Sequence, residues 1–311
     1  MNTIRRQFSN KQLTEMSAAL DLRGMQYCED LCLKDYSTFN IGGPCDMAVF
    51  PKNTDELIFA VELAQSNEVG FEVIGKGSNI LFLDDGFRGM MIFTSQMRQI
   101  SRTNEKCIVA GAGANLTAIS VAAARYELSG LEFACGIPGS CGGAVYMNAG
   151  AFGGEISDVL EYSEYYDTTL KKLFVLNNRD HGFSYRHSVY QNRKDRIITE
   201  VGFNLTEDAV ENIRATMEEY TQKRRSSQPH EFPNAGSIFK RPDGGYAAKM
   251  IDECGLKGTS IGGAQVSEKH AGFIVNRGNA KAKDVLELID IIKQRVFHRF
   301  GVILECEIRI I

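Results

Sequence analysis

The sequence predicts a mixed helix-and-strand (α+β) protein of two or three domains, on three observations. At 311 residues the chain is long enough to fill more than one core. Its apolar residues switch repeatedly between the 3.6-residue repeat of a helix face and the two-residue repeat of a half-buried strand. Short apolar runs also feed into glycine-rich loops, as strands do where a chain turns tightly around a ligand.

Each element has its own signal. Asn53 offers a helix cap, with Glu56 three residues on as in a capping box, and Leu57, Val61 and Ala64 follow at helical spacing before Gly70. Residues 71–74 form a short apolar strand that runs into a glycine loop. Residues 90–93 and 107–110 read as two further strands, and 116–126 as a helix. From Gly130 to Gly154 turn residues are too dense for a helix or an uninterrupted strand. Strands follow near 159–166 and 197–205. An amphipathic helix is expected over 208–225, with Ile213, Met217 and Tyr220 on one face.

A domain boundary falls near Thr206, which gives expected domains 1–88, 89–206 and 207–311. In the last of these, residues 282–300 form a helix with Val285, Leu288, Ile289, Ile292 and Val296 inward, ended by Gly301 as a left-handed cap. A closing strand is expected over 302–311, with Val302, Leu304, Cys306, Ile308 and Ile310 on one face and Ile303, Glu305, Glu307 and Arg309 on the other.

Composition narrows the class of function. The chain is 43% hydrophobic and 24% charged with a net charge of −4, so it lacks the basic face of a nucleic-acid binder. Lys223, Arg224 and Arg225 read as the solvated end of a helix. No apolar run approaches the roughly 20 residues of a membrane helix, and residues 1–10 are polar, without a signal-peptide core. The eight cysteines show neither CxxC pairs nor zinc spacing, so no metal is expected. They read as the reduced thiols of a cytoplasmic protein, which makes the sequons at Asn115 and Asn204 chance matches.

Two segments suit a phosphate. The first is Gly75-Lys76-Gly77-Ser78-Asn79. The second is Gly136-Ile137-Pro138-Gly139-Ser140-Cys141-Gly142-Gly143-Ala144, which continues through Asn148 and Gly150 to Glu155. Glycines let backbone N–H groups turn toward an anion with no Cβ in the way, and two such loops can grip a diphosphate from opposite sides. Neither is a dinucleotide fingerprint or a P-loop. The near-match at Gly111-Ala112-Gly113 has Leu116 at the third glycine position and reads as a strand-to-helix turn. Without a P-loop, an ATP-dependent ligase is excluded.

The first loop, followed about sixty residues on by Ile137-Pro138-Gly139, resembles the two-subdomain FAD-binding fold shared with vanillyl-alcohol oxidase. The stretch 137–155, then Tyr185-Arg186-His187-Ser188, then Asn234-Ala235-Gly236-Ser237-Ile238-Phe239-Lys240, and finally Leu304-Glu305-Cys306-Glu307-Ile308-Arg309, resemble the UDP-N-acetylenolpyruvoylglucosamine reductase family, in family order. The chain is similar to the shorter branch, without the extra substrate-covering loop. The resemblance implies a smaller α+β substrate-binding domain after the flavin-binding part. It also implies non-covalent FAD, NADPH as co-substrate, and reduction of UDP-N-acetylglucosamine enolpyruvate to UDP-N-acetylmuramate. A monomer is expected, with no nucleic-acid or membrane partner.

The same resemblance assigns roles. Gly75 to Asn79, Gly136 to Ser140, Gly142, Gly143, Asn148 and Gly150 would hold FAD. Arg186 would bind the substrate carboxylate through a planar fork, and Ser237 would donate the proton. Glu307 would assist at the carboxylate while protonated. Spacing alone leaves Glu305 and Glu307 as alternatives, and two neighbouring carboxylates would favour one holding a proton. Tyr185, Lys240, Arg241, Lys257 and Gln265 are candidate substrate contacts. Taken singly, Arg186 reads as a surface arginine, Ser237 as a turn serine, and Lys257 and Gln265 as solvated polar groups. His187 has no catalytic role in the resemblance. Two rivals stand beside this reading. An oxidase of the same fold would use oxygen and lack the Ser237 and Glu307 pair. A flavin-binding sensor would bind without turnover.

Overall fold

Capped amphipathic runs and alternating apolar runs build two compact units in the computed structural model, which describes residues 8–311. Residues 1–7 of the polar start lie outside the described residues. The first unit takes the chain up to Glu29, then Asp46–Lys76 and Arg88–Lys223. The second takes Asp30–Cys45, Gly77–Phe87 and Arg224–Ile311.

One four-stranded sheet has the order Gln26–Cys32, Pro44–Phe50, Phe87–Phe93, Phe71–Ile74, with the last two strands parallel. Helices Asn10–Leu22 and Thr54–Ser66 close a core with it that includes Met16, Leu20, Met47, Val49, Leu57, Val61 and Ile92. Asn53 caps the second helix by accepting the Glu56 N–H at 2.9 Å. The Glu56 carboxylate, however, accepts the N–H of Lys52 rather than that of Asn53, so the expected capping box is displaced by one residue.

The first unit's other sheet is antiparallel throughout. Its order is Lys172–Asn177, Leu160–Asp167, Arg196–Asn204, Cys107–Gly111, Ile100–Arg102. Helices Leu116–Arg125 and Cys141–Met147 cover its core. The second helix corrects the expectation that 130–154 holds no helix. Ser140 caps it through the Gly143 N–H, and Gly142 lies where a Cβ would be 3.1 Å from the Cβ of Ala112. Glycine here permits close packing of a helix rather than preventing one. The helix Val210–Ser227 buries Ile213 and Met217 against Ala124 and Cys135.

The second unit has an antiparallel sheet in the order Asn234–Ser237, Phe273–Asn276, Ala264–Val266, Ser260–Ile261, packed by helices Ala247–Glu253 and Ala282–Phe300. Gly301 ends the long helix at φ 69°, as expected of a left-handed cap. Two early segments complete this unit. Phe39, Ile41 and Leu81 are buried in its core. The Asn276 side chain donates to the carbonyls of Phe39 and Asn40 and accepts from Gly278 and Ala280. Asp84 accepts the first N–H groups of the long helix, from Ala282 at 2.8 Å and Lys283 at 3.1 Å, and so caps it from 198 residues away in sequence.

The expected closing strand over 302–311 needs correction. Only Arg309–Ile310 forms a ladder, parallel to Ile80–Leu81, and Cys306 makes a single bridge with Phe239. Leu304 and Ile308 are buried, but Ile310 is 44% exposed. The segment serves two different partners in turn, so one strand register does not run its length.

Candidate active site

The two glycine loops meet within the first unit. A Cβ at Gly75 would stand 2.9 Å from the Cβ of Ser140 and closer still to its hydroxyl. Only glycine lets the end of strand Phe71–Ile74 approach the second loop this closely. Ser140 is buried, and the flanking bonds Leu116 N–H to Gly139 O and Cys141 N–H to Ala114 O turn its own N–H away from residue 115. In the second unit Gly77 has φ 61° and is buried against the Tyr36 carbonyl. Its carbonyl accepts the Thr38 N–H.

These loops leave donors over. Among the described residues, the N–H groups of Lys76, Gly77, Ser78 and Asn79, and those of Gly139 and Ser140, donate to no protein group. Of these residues Gly77 and Ser140 are buried, and a buried N–H without an acceptor is rare in a folded protein. Runs of such donors on glycine loops are what a diphosphate takes up, so the chain fits an FAD pyrophosphate. Gly136 donates to the Thr117 hydroxyl and Ile137 to the Ala134 carbonyl, so these two shape the loop. Pro138 has no N–H to give. Cys141 is buried, and burial pushes its thiol far up.

Asn148 is placed differently from a ligand-facing residue. It ends the Cys141–Met147 helix in the left-handed region, at φ 42°, and is fully buried. Its amide donates to Glu155 at 2.9 Å and to the Ser184 carbonyl at 3.2 Å, and accepts from Ser157 at 3.0 Å. Gly150 lies in a short hairpin where a Cβ would meet the Gly154 carbonyl at 2.7 Å.

Arg186 occupies a tight turn in the first unit. Ser184 and His187 exchange backbone hydrogen bonds, and Arg186 alone of the two central residues has positive φ, at 55°. That position of a type II turn favours glycine or asparagine. An arginine there costs about 1 kcal/mol, the kind of strain that collects at functional sites. One guanidinium N–H donates to the Gly150 carbonyl at 3.0 Å, and the group lies 5.0 Å from the ring of the exposed Tyr185. His187 contacts the Asn192 amide at 3.2 Å.

Behind this turn His181, Ser163 and Tyr190 form a buried network. His181 Nδ1 must donate to the Asn177 carbonyl, so its Nε2 accepts from the Ser163 hydroxyl, which in turn accepts from Tyr190. Burial lowers the His181 pKa.

In the second unit the backbone segments that carry Ser237 and Glu307 lie next to each other. The N–H of Glu307 donates to the Ile238 carbonyl at 2.8 Å, and that of Lys240 to the Glu305 carbonyl at 2.9 Å. Residues 305–307 therefore run antiparallel to 238–240, and Glu307 sits across from the residue after Ser237. Ser237 is half-buried, and among the described residues its hydroxyl meets no protein partner. The Asn79 side chain donates to the Glu307 carbonyl at 3.0 Å, which ties the end of the first glycine loop to this acid.

The other expected residues divide. Glu305 is 73% exposed and pairs with Lys240 at 3.4 Å, so it answers to that lysine rather than to Glu307. Arg241 stacks 4.7 Å from the Tyr246 ring. Lys257 pairs with Asp252 at 2.7 Å, and Gln265 donates to the Gly258 carbonyl at 3.1 Å. Sequence reasoning missed Gln191, whose amide reaches the Arg186 carbonyl.

Known proteins with the same features place the chain. The FAD binding domain profile matches residues 45–169, which take in both glycine loops. The class so defined is an FAD-binding oxidoreductase of α+β fold. The profile of the UDP-N-acetylenolpyruvoylglucosamine reductase C-terminal domain matches residues 228–311, which take in Ser237 and Glu307. The reductase of that name from Caldanaerobacter subterraneus subsp. tengcongensis is 44% identical over 90% of this chain and 91% of its own. That from Clostridium kluyveri is 43% identical over 94% and 97%. The crystal structure of the Thermus caldophilus reductase superposes with a TM-score of 0.77 at 36% identity, over 92% of this chain and 98% of that one. The chain belongs to the UDP-N-acetylenolpyruvoylglucosamine reductase family.

Proposed function

We propose that the protein reduces UDP-N-acetylglucosamine enolpyruvate to UDP-N-acetylmuramate for peptidoglycan synthesis, with NADPH as reductant and FAD as its cofactor. Family membership supports this reading. The observation that supports it at the site is the backbone pairing of 305–307 with 238–240, next to Ser237, whose hydroxyl meets no protein partner among the described residues.

FAD, when bound, supplies the hydride chemistry. The glycine loops would offer its diphosphate backbone N–H donors. Reduction of the enol ether at its terminal carbon places negative charge on the neighbouring carboxylate oxygens. Arg186 meets that charge with a fork of N–H donors, an interaction whose loss typically costs ~10²–10³ in rate. Ser237 passes its hydroxyl proton to the carbon beside the carboxylate, forming the new C–H bond. Proton transfer of this kind contributes ~10²–10⁴. Glu307, protonated, donates to the carboxylate. In this reading residues 1–88 and 89–206 bind the cofactor and 207–311 the substrate, and the enzyme is a cytoplasmic monomer. No helix among the described residues is long and apolar enough to cross a membrane.

Steady-state turnover tests the proposal. NADPH should be consumed only when the enolpyruvyl sugar nucleotide is present, one for each UDP-N-acetylmuramate formed. NADPH consumption that yields hydrogen peroxide and ignores this substrate would mark an oxygen-using oxidase instead.

A further inference from the structure

The Ser184–His187 turn has an arginine at its left-handed position, and one side chain fastens the turn from behind. The Nε2 of Gln191 donates to the Arg186 carbonyl at 2.8 Å and to the Tyr146 carbonyl at 3.0 Å. Tyr146 belongs to the last turn of the Cys141–Met147 helix, whose final carbonyls have no partner within the helix. Ser188, fully buried, donates its hydroxyl to the same carbonyl at 2.8 Å. One amide therefore bonds the helix that follows the second glycine loop and the backbone of Arg186 at once. Two carbonyl acceptors fix which end of the amide faces them, since only NH₂ can donate to both.

We propose that Gln191 is the positioning residue for Arg186. It holds the arginine's backbone in a conformation that the residue type disfavours, so that the guanidinium stands at the substrate carboxylate. Gln191 touches neither cofactor nor substrate in this account and acts only through Arg186. The inference rests on the carboxylate-binding role proposed for Arg186.

Gln191→Glu keeps the size of the side chain but turns acceptor oxygens toward two carbonyls. In the holoenzyme, amide exchange should quicken about tenfold at His187, whose N–H closes the turn. Reduction of the flavin by NADPH should stay within about twofold of wild type. Reoxidation by the enolpyruvyl substrate should slow about tenfold or more, since small misplacements of a catalytic group cost that much. In an Arg186→Ala background, Gln191→Glu should add less than about twofold, because its target is gone. Unchanged exchange at His187, or a loss that multiplies fully with that of Arg186→Ala, would overturn the positioning role alone. Quickened exchange in Gln191→Glu together with wild-type reoxidation in Arg186→Ala would overturn the role of Arg186 and the positioning role with it.

Discussion

Gly75 is where a single methyl group should cost the protein its cofactor. The backbone there has an ordinary φ, so alanine meets no backbone penalty and only the contact is at stake. In Gly75→Ala the new Cβ would lie 2.9 Å from the Ser140 Cβ and overlap its hydroxyl. Ser140 is 2% exposed and caps the Cys141–Met147 helix, so neither rotation nor retreat is free. Overpacking of this kind costs about 1–3 kcal/mol, and the strain falls on the two loops whose N–H groups await a diphosphate. FAD affinity should drop by roughly 5- to 150-fold. Fluorescence titration of the apoprotein with FAD measures it. Adding Ser140→Gly removes both clashing atoms while glycine at a cap costs only a few tenths of a kcal/mol, so the double variant should recover most of the affinity. Wild-type affinity in Gly75→Ala, or no recovery in the double variant, would refute the argument.

Three further outcomes follow from the structure. Ser237→Ala should leave flavin reduction by NADPH intact and slow reoxidation by substrate ~10²–10⁴-fold, as read in stopped-flow; equal slowing of both halves would make Ser237 a structural residue. Asp84→Ala should lose the cap of helix Ala282–Phe300 and about 1 kcal/mol of stability, measured as a lower urea midpoint, while Asp85→Ala should stay within about 0.5 kcal/mol of wild type. The His181 pKa is lowered by burial from its usual 6.5, so protonation favours the unfolded chain. Stability should be full above about pH 6.5 and fall as pH drops through the folded-state pKa. His181→Gln should flatten that slope in thermal denaturation, and an unchanged slope would remove His181 as its cause.

Local signals carried most of the fold. Residues 282–300 hold a helix because five apolar residues repeat at helical spacing before a glycine stop, and all five are buried. The glycine loops were legible because glycine is costly without a reason for it. What stayed hidden was long-range. Phe39 and Ile41 stand among polar and glycine neighbours and Leu81 lies in the short apolar run 80–83, and nothing local says that they complete the core of the second unit. Asp84 reads as a loop acid until the helix it caps lies beside it. Asn148 was legible as a motif member but not as a buried tie to the Ser184 carbonyl. Nothing local sets Gln191 apart either, because its two acceptors come from elements that only folding brings together. Alternation misled at the C-terminus, where Cys306 pairs with Phe239 and Arg309 with Ile80 in separate registers.

The central claim is that one bound flavin passes electrons from NADPH to the enolpyruvyl sugar nucleotide. Under anaerobic conditions the purified holoprotein would be bleached with one equivalent of NADPH, then mixed with UDP-N-acetylglucosamine enolpyruvate while the visible flavin absorbance is followed. The account predicts prompt return of the oxidised spectrum with stoichiometric UDP-N-acetylmuramate. A flavin that bleaches and stays bleached would contradict it.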